Sequence, residues 1–279
     1  MRLHDQANGA GLARGEDVFR LTVSNRRLTG DPAASMPAVP GAGRGWPIEK
    51  LVEATGAEPS ADPFLPSEYT GLILQAIERL PDLPADSQAA EIGVGSGVVL
   101  ASLARRGAGR LRGVDSEPAA IRAAGALLDG LGLAGRAVLS LGSVWEELEG
   151  ERFDLVVANL PQYPTDRPGD AHRIASWCAG GRDGRRVMDP FLAGLGAHLR
   201  PGGIALITHS TIIGLDRTRA ILAAQGLGCT SLLASQVLLS PGKAALLPPA
   251  SWARADRLGL LELGPYRFIE AHVLRIAPL

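Results

Sequence analysis

Cysteine is nearly absent from this 279-residue chain. Cys178 and Cys229 stand far apart and fit neither a metal-ligand spacing nor a CxxC pair. A disulfide framework and a metal centre are therefore not expected, and both thiols read as free in a reducing compartment. An excess of positive charge is missing as well: Lys+Arg number 28 against Asp+Glu 29, so the basic field that nucleic-acid binding requires is not there. No apolar run is long enough to span a bilayer, and the opening residues lack the apolar core of a secretory signal. The expectation is a cytoplasmic protein with no nucleic-acid and no membrane partner. What the chain does have is apolar residues at 46%, enough to bury a substantial core.

The stretch from about Leu28 to Pro47 is dense in Gly, Pro and Ala and reads as a linker or an irregular surface path. The chain is accordingly divided into an N-terminal extension and linker over 1–62 and one domain over 63–279. In "PSEYTGLILQAIERL" residues Leu72, Ile73, Ala76, Ile77 and Leu80 share one helical face, with Ser67 as N-cap. From Ala89 onward short apolar runs alternate with amphipathic segments. Strands are expected near 89–92, 111–114, 137–140, 154–158, 204–208, 230–238 and 268–276, and helices near 98–106, 118–128, 186–199 and 214–225. This βα alternation implies an α/β fold with a doubly wound, Rossmann-like, seven-stranded sheet, mostly parallel. The last two strands succeed each other without a helix, so the last strand is expected to be antiparallel.

Three local patterns carry chemistry. "EIGVGSGVVLASLA" is a strand, a turn with glycines at 93, 95 and 97, and a helix. Glycines let a ligand approach the backbone, and the helix N-terminus offers unpaired N–H groups. Val98 stands where the dinucleotide pattern G-x-G-x-x-G has its third glycine. In "LRGVDSEP", Asp115 ends the next strand, where a carboxylate either binds ribose hydroxyls or caps the next helix. Third, "VVANLPQYP" is an apolar strand that stops on Asn159 and leaves through two prolines flanking Gln162 and Tyr163. Such a rigid, amide-lined exit is suited to holding something in place.

"EIGVGSG" and then "GVDSEP" resemble the first two motifs of the class I S-adenosylmethionine (SAM)-dependent methyltransferases, over the chain from about Pro63 to its end. The resemblance implies that Gly93, Gly95 and Gly97 pass under the methionine part of SAM, that Glu91 helps hold its amino acid moiety, and that Asp115 binds ribose. Ser143, in "LSLGSVWEE", stands where the family has an adenine-binding Asp; an adenine contact and a helix N-cap are both open readings. "NLPQYP" resembles the Asn-Pro-Pro-Tyr motif of a subgroup, and "GGRDGRRVMDPFLAGLGAHLRPGGIALIT" resembles the segment after that motif in the glutamine methyltransferases that modify release factors. "PFLPSEYT" resembles their segment over the cofactor, which would bring Tyr69 to the sulfonium. Asn159 and the Leu160 carbonyl would then accept hydrogen bonds from an attacking N–H group, aligning it with the methyl and stabilising the charge that develops.

Gln162 replaces the aromatic residue of the subgroup, with Tyr163 shifted one place, and the region before the glycine turn is short. Both point to a small-molecule substrate with a nitrogen nucleophile, taken by a monomer or homodimer. Tyr163 and His209, in "LITHST", join Asn159 as candidate catalytic groups, with a buried structural histidine the competing reading of His209. The alternatives are a protein glutamine N-methyltransferase, an S-methylating or SAM-cyclising enzyme, an NAD-dependent oxidoreductase, and a catalytically silent SAM-binding protein.

Overall fold

Ser67 opens the first helix as the periodicity predicts. Its hydroxyl takes the Thr70 N–H while the Thr70 hydroxyl takes the Ser67 N–H, a reciprocal cap on α1 (Glu68–Glu78). The computed structural model describes residues 65–165, 179–247 and 259–279. The expected extension over 1–62, Cys178 and residues 248–258, between the last two expected strands, lie outside the described residues.

The chain then runs β1 (Gln88–Ile92), α2 (Val98–Arg105), β2 (Arg110–Asp115), α3 (Pro118–Gly130), β3 (Ala137–Leu141) and β4 (Phe153–Ala158). It continues through α4 (Met188–His198), β5 (Leu199–Ser210), α5 (Leu215–Ala223), β6 (Leu227–Leu239), α6 (Pro241–Leu246), β7 (Leu260–Leu263) and β8 (Tyr266–Pro278). The sheet order is β3-β2-β1-β4-β5-β8-β6. β1 to β5 pair in parallel, and β8 runs antiparallel between β5 and β6.

Among the described residues the sheet has eight strands where seven are expected. β7 is four residues, Leu-Leu-Glu-Leu, that pair with the start of β8 across Gly264 and Pro265. It falls between the last two expected strands, and four residues give the alternation too little length to register.

The central strands are largely apolar because both faces are covered. In β4 only Asp154 reaches the surface, where it accepts from the Gln88 N–H at 2.8 Å and from Arg200 at 2.8 Å. Strand alternation separates two layers at the carboxyl end of β5. Thr208 lies on the side of α1, through Asn159 and Thr70, whereas His209 bonds Thr218 of α5.

Gly97 fixes how α2 and α3 pack. Its φ is +81°, and a Cβ there would stand 2.9 Å from both the Cα and the Cβ of Ala124. Gly95 also has positive φ, +51°, but among the described residues nothing lies within 4 Å of its added Cβ. Gly97→Ala is therefore expected to cost about 2–4 kcal/mol, from left-handed strain plus overpacking, and Gly95→Ala only about 1–2 kcal/mol, from strain alone. Denaturant unfolding of the two variants checks this ordering.

Candidate functional site

β1 and β4 are neighbours in the sheet although β2 and β3 intervene in sequence. The chain leaves their carboxyl ends toward opposite faces, so a crevice opens between them, the place where open α/β sheets bind ligands. A Cβ on Gly93 would meet Leu160 Cδ2 at 3.3 Å and the Asn159 carbonyl at 3.9 Å, which sets the glycine turn directly against the exit of β4.

Glu91, second to last in β1, is 3% exposed. Its Oε2 takes the Leu100 N–H at 3.1 Å, which caps the first turn of α2 because Gly97 has no side chain to do so. Burial pushes this carboxyl well above its ordinary value, opposed by the Leu100 N–H. Asp115 divides its oxygens: Oδ2 takes the Gly95 N–H at 2.9 Å and Oδ1 takes the Glu117 N–H at 2.9 Å. It thus both fixes the crest of the glycine turn and steadies the entry to α3, and its oxygens retain lone pairs for further donors. Burial raises its pKa, and these backbone N–H groups work against the rise.

Asn159 comes directly after the last residue of β4. Its Oδ1 accepts from the Thr208 hydroxyl at 2.7 Å, and its Nδ2 donates to Thr70 Oγ1 at 3.4 Å. Tyr69 is half-buried in the first turn of α1, next to Thr70. Ser143 is exposed after β3, where its N–H bonds the Glu146 carboxylate at 3.2 Å. The residue after it, Val144, has φ +52°, an uncommon conformation for a β-branched side chain. It leads into Trp145, whose ring stacks on His198 at 4.2 Å and on Phe191 at 5.2 Å.

The other two candidate catalytic groups point away from Asn159. The Tyr163 hydroxyl donates to the Lys243 carbonyl in α6, so the tyrosine braces the exit segment. His209 is 1% exposed, and its Nε2 lies 2.9 Å from Thr218 Oγ1. Arg185 donates to that same oxygen at 3.0 Å, which sets a fixed cation beside the ring and disfavours a second charge there. Burial first, then the Arg185 and His272 charges, lower its pKa to about 3. His209 is a structural histidine on the far side of the sheet. The Arg185 guanidinium is itself buried, holding Asp189 at 2.6 Å and the Ile213 carbonyl at 2.7 Å.

Three residues not singled out for these roles in the sequence complete the site. Thr70 and Thr208 hydrogen-bond Asn159 directly, and Gln162 stands behind them, buried and bonded to the Ser210 N–H, Thr208 and the Leu160 carbonyl. The pairing of Ala158 with Ile207 puts Thr208 beside Asn159, a register that no local pattern reveals.

The profile of the ribosomal protein L11 methyltransferase family (PrmA) matches residues 68–162, from α1 through the exit of β4. A release factor glutamine methyltransferase of Xylella fastidiosa is 31% identical over 182 residues, 63% of this chain and 62% of that protein. The match therefore spans less than two thirds of this relative. A putative protein N5-glutamine methyltransferase of Methanocaldococcus jannaschii is 28% identical over 173 residues, 60% of this chain and 83% of that protein. Among solved structures, the precorrin 8w decarboxylase of Methanobacterium thermoautotrophicum superposes with a TM-score of 0.50 at 16% identity, covering 81% of this chain and 98% of that one, which is a likeness of fold. The described residues thus have the α/β, Rossmann-like methyltransferase fold, and the sequence is similar to class I SAM-dependent methyltransferases. The two curated relatives are named for glutamine methylation, and the matched profile for ribosomal protein L11.

That finding corrects the expectation of a small-molecule substrate. The expectation leaned on Gln162 in place of an aromatic residue, yet Gln162 is spent on internal hydrogen bonds to the end of β5, so its identity reports on packing there and not on substrate size. Its other support, the short N-terminal region, lies outside the described residues. No helix among the described residues is long and apolar enough to cross a membrane.

The neutral state of His209 has a consequence for stability. With a folded pKa of about 3 against an ordinary 6.5, unfolding takes up a proton at any pH between the two. The contribution of the neutral ring is complete above about pH 6.5 and declines as pH falls toward 3. Denaturant unfolding free energy is expected to fall between about pH 7 and pH 5 in the parent, with a shallower slope in His209→Gln; equal slopes contradict the assignment.

Proposed function

We propose that this chain transfers a methyl group from SAM to the side-chain amide nitrogen of a glutamine in a protein substrate. The observation that carries the reading is the state of Asn159. A carboxamide oxygen accepts two hydrogen bonds and its nitrogen donates two. Thr208 takes one lone pair and Thr70 one hydrogen, which leaves one acceptor and one donor on the Asn159 amide. That is the complement of a primary carboxamide, which offers an N–H and a C=O side by side. The names of the curated relatives support the same substrate class.

The residues at the crevice suit the cofactor. Open space over Gly95 gives room at the crest of the turn, and two carboxylates, Glu91 and Asp115, flank it. In this reading Gly93, Gly95 and Gly97 let the amino acid portion lie close to the backbone, and Glu91 attracts its ammonium group. Asp115 accepts from the ribose hydroxyls, Ser143 stands at the adenine end, and Tyr69 covers the site from α1. When bound, SAM supplies an electrophilic methyl group on a sulfonium. Asn159 Oδ1 accepts from the substrate N–H and Nδ2 donates to the substrate carbonyl, which orients the amide nitrogen and disperses the positive charge that grows on it. The N–C bond forms as the C–S bond breaks, the bonding pair leaves with sulfur as S-adenosylhomocysteine, and one amide proton is released.

Purified chain is assayed with methyl-labelled SAM and a release factor as acceptor. Asn159→Ala is expected to lower kcat by about 10²–10³-fold while calorimetric affinity for S-adenosylhomocysteine stays within a few-fold. Asp115→Ala is expected to abolish that affinity. An Asn159→Ala enzyme that retains full kcat, or an Asp115→Ala protein that binds normally, defeats the reading.

A further inference from the structure

The hydrogen bonds around Asn159 form one directed chain whose polarity is set by a group that cannot be reversed. A backbone N–H only donates, so the Ser210 N–H fixes the oxygen of the Gln162 carboxamide as its acceptor. The Gln162 nitrogen must then be the end that faces Thr208, where it donates to Oγ1 at 3.3 Å and to the Thr208 carbonyl at 3.2 Å. Thr208 Oγ1 in turn donates its single hydrogen to Asn159 Oδ1, its shortest partner at 2.7 Å. The Asn159 nitrogen is thereby left toward α1, where Thr70 Oγ1 accepts it at 3.4 Å. A flipped Asn159 would set its nitrogen against the Thr208 hydroxyl and its oxygen against Thr70.

We propose that Thr208, itself oriented by Gln162, is a positioning residue that selects which end of the Asn159 carboxamide meets the substrate. The position that carries an aromatic residue in the related Asn-Pro-Pro-Tyr motif is here given to this relay. The inference rests on the reading of Asn159 as the group that receives the substrate amide, and it adds that the useful state of Asn159 is imposed from the end of β5. Thr208 is fully buried, so water does not substitute for its hydroxyl, and its carbonyl continues to satisfy Gln162 if the hydroxyl is removed.

Thr208→Val keeps the shape of the side chain and deletes the donor; Thr208→Ser keeps the donor. With methyl-labelled SAM and a release factor, Thr208→Val is expected to lower kcat by about 10–100-fold. Its KM for the protein and its S-adenosylhomocysteine affinity stay within about 3-fold, Thr208→Ser stays within about 3-fold in all three, and melting confirms that both variants fold. Thr208→Val combined with Asn159→Ala is expected to be no slower than Asn159→Ala alone, because the two act as one unit. Wild-type kcat in Thr208→Val, or equal loss in Thr208→Ser, overturns the proposal.

A second readout needs no substrate: the side-chain ¹⁵NH₂ signals of Asn159, assigned by their loss in Asn159→Ala. They are expected to show a single, slowly exchanging amide in the parent and in Thr208→Ser, and a mobile or flipped amide in Thr208→Val. If these signals behave as expected but no glutamine is methylated, the functional reading fails and the orientation by Thr208 stands. If glutamine is methylated but the Asn159 signals and kcat ignore Thr208→Val, the orientation fails and the function stands.

Discussion

Because β1 lies between β2 and β4, the turns that leave β1 and β4 diverge to opposite faces of the sheet, and neither connection can cover the gap between them. Everything of chemical interest is arranged around that gap. The glycine turn descends from one side, held by the Asp115 carboxylate, and the Asn159 exit arrives from the other, with Leu160 packed against Gly93. A bulkier residue at Gly97 would push α2 away from α3 and carry the turn with it. The parallel order of the sheet thus fixes the crevice, and a few sterically intolerant positions keep its two lips in place.

The polar groups near the crevice fall into two kinds. On the α5 side, Arg185 and His209 both bond Thr218, and Arg185 also donates to the carbonyls of Ile213 and Gly214, which satisfies these groups internally. On the α1 side, Glu91, Asp115 and Asn159 are bonded by backbone N–H groups or hydroxyls but keep unused capacity. Buried polar groups with capacity to spare are costly in a purely structural role and are expected where a ligand completes them. The difference explains why two neighbours in β5, Thr208 and His209, belong to unrelated networks although only one peptide bond separates them.

Much of this was legible from local pattern. The strand, glycine turn and helix around Gly93–Gly97, the carboxylate closing β2, and the amide closing β4 each depend on residues within a dozen positions, where periodicity and turn chemistry suffice. The antiparallel last strand was implied by the missing helix before it. What escaped the sequence required pairing between distant segments. Thr208 could be told from His209 only after the register of β4 against β5 was known. The partner of the Tyr163 hydroxyl, the Lys243 carbonyl, lies eighty residues away in sequence, and β7 is too short for its alternation to register. Gln162 misled about the substrate for a related reason: its partners, Thr208 and Ser210, lie on another strand.

The central claim is that the crevice between β1 and β4 directs a methyl group onto a glutamine side chain of a protein. The most direct measurement is mass-spectrometric localisation of the transferred methyl group after incubation of the purified chain with SAM and a release factor. A single methyl group on a glutamine side-chain nitrogen is the result this account predicts. A methyl group on lysine, on a thioether sulfur or on the main chain of that protein would contradict it.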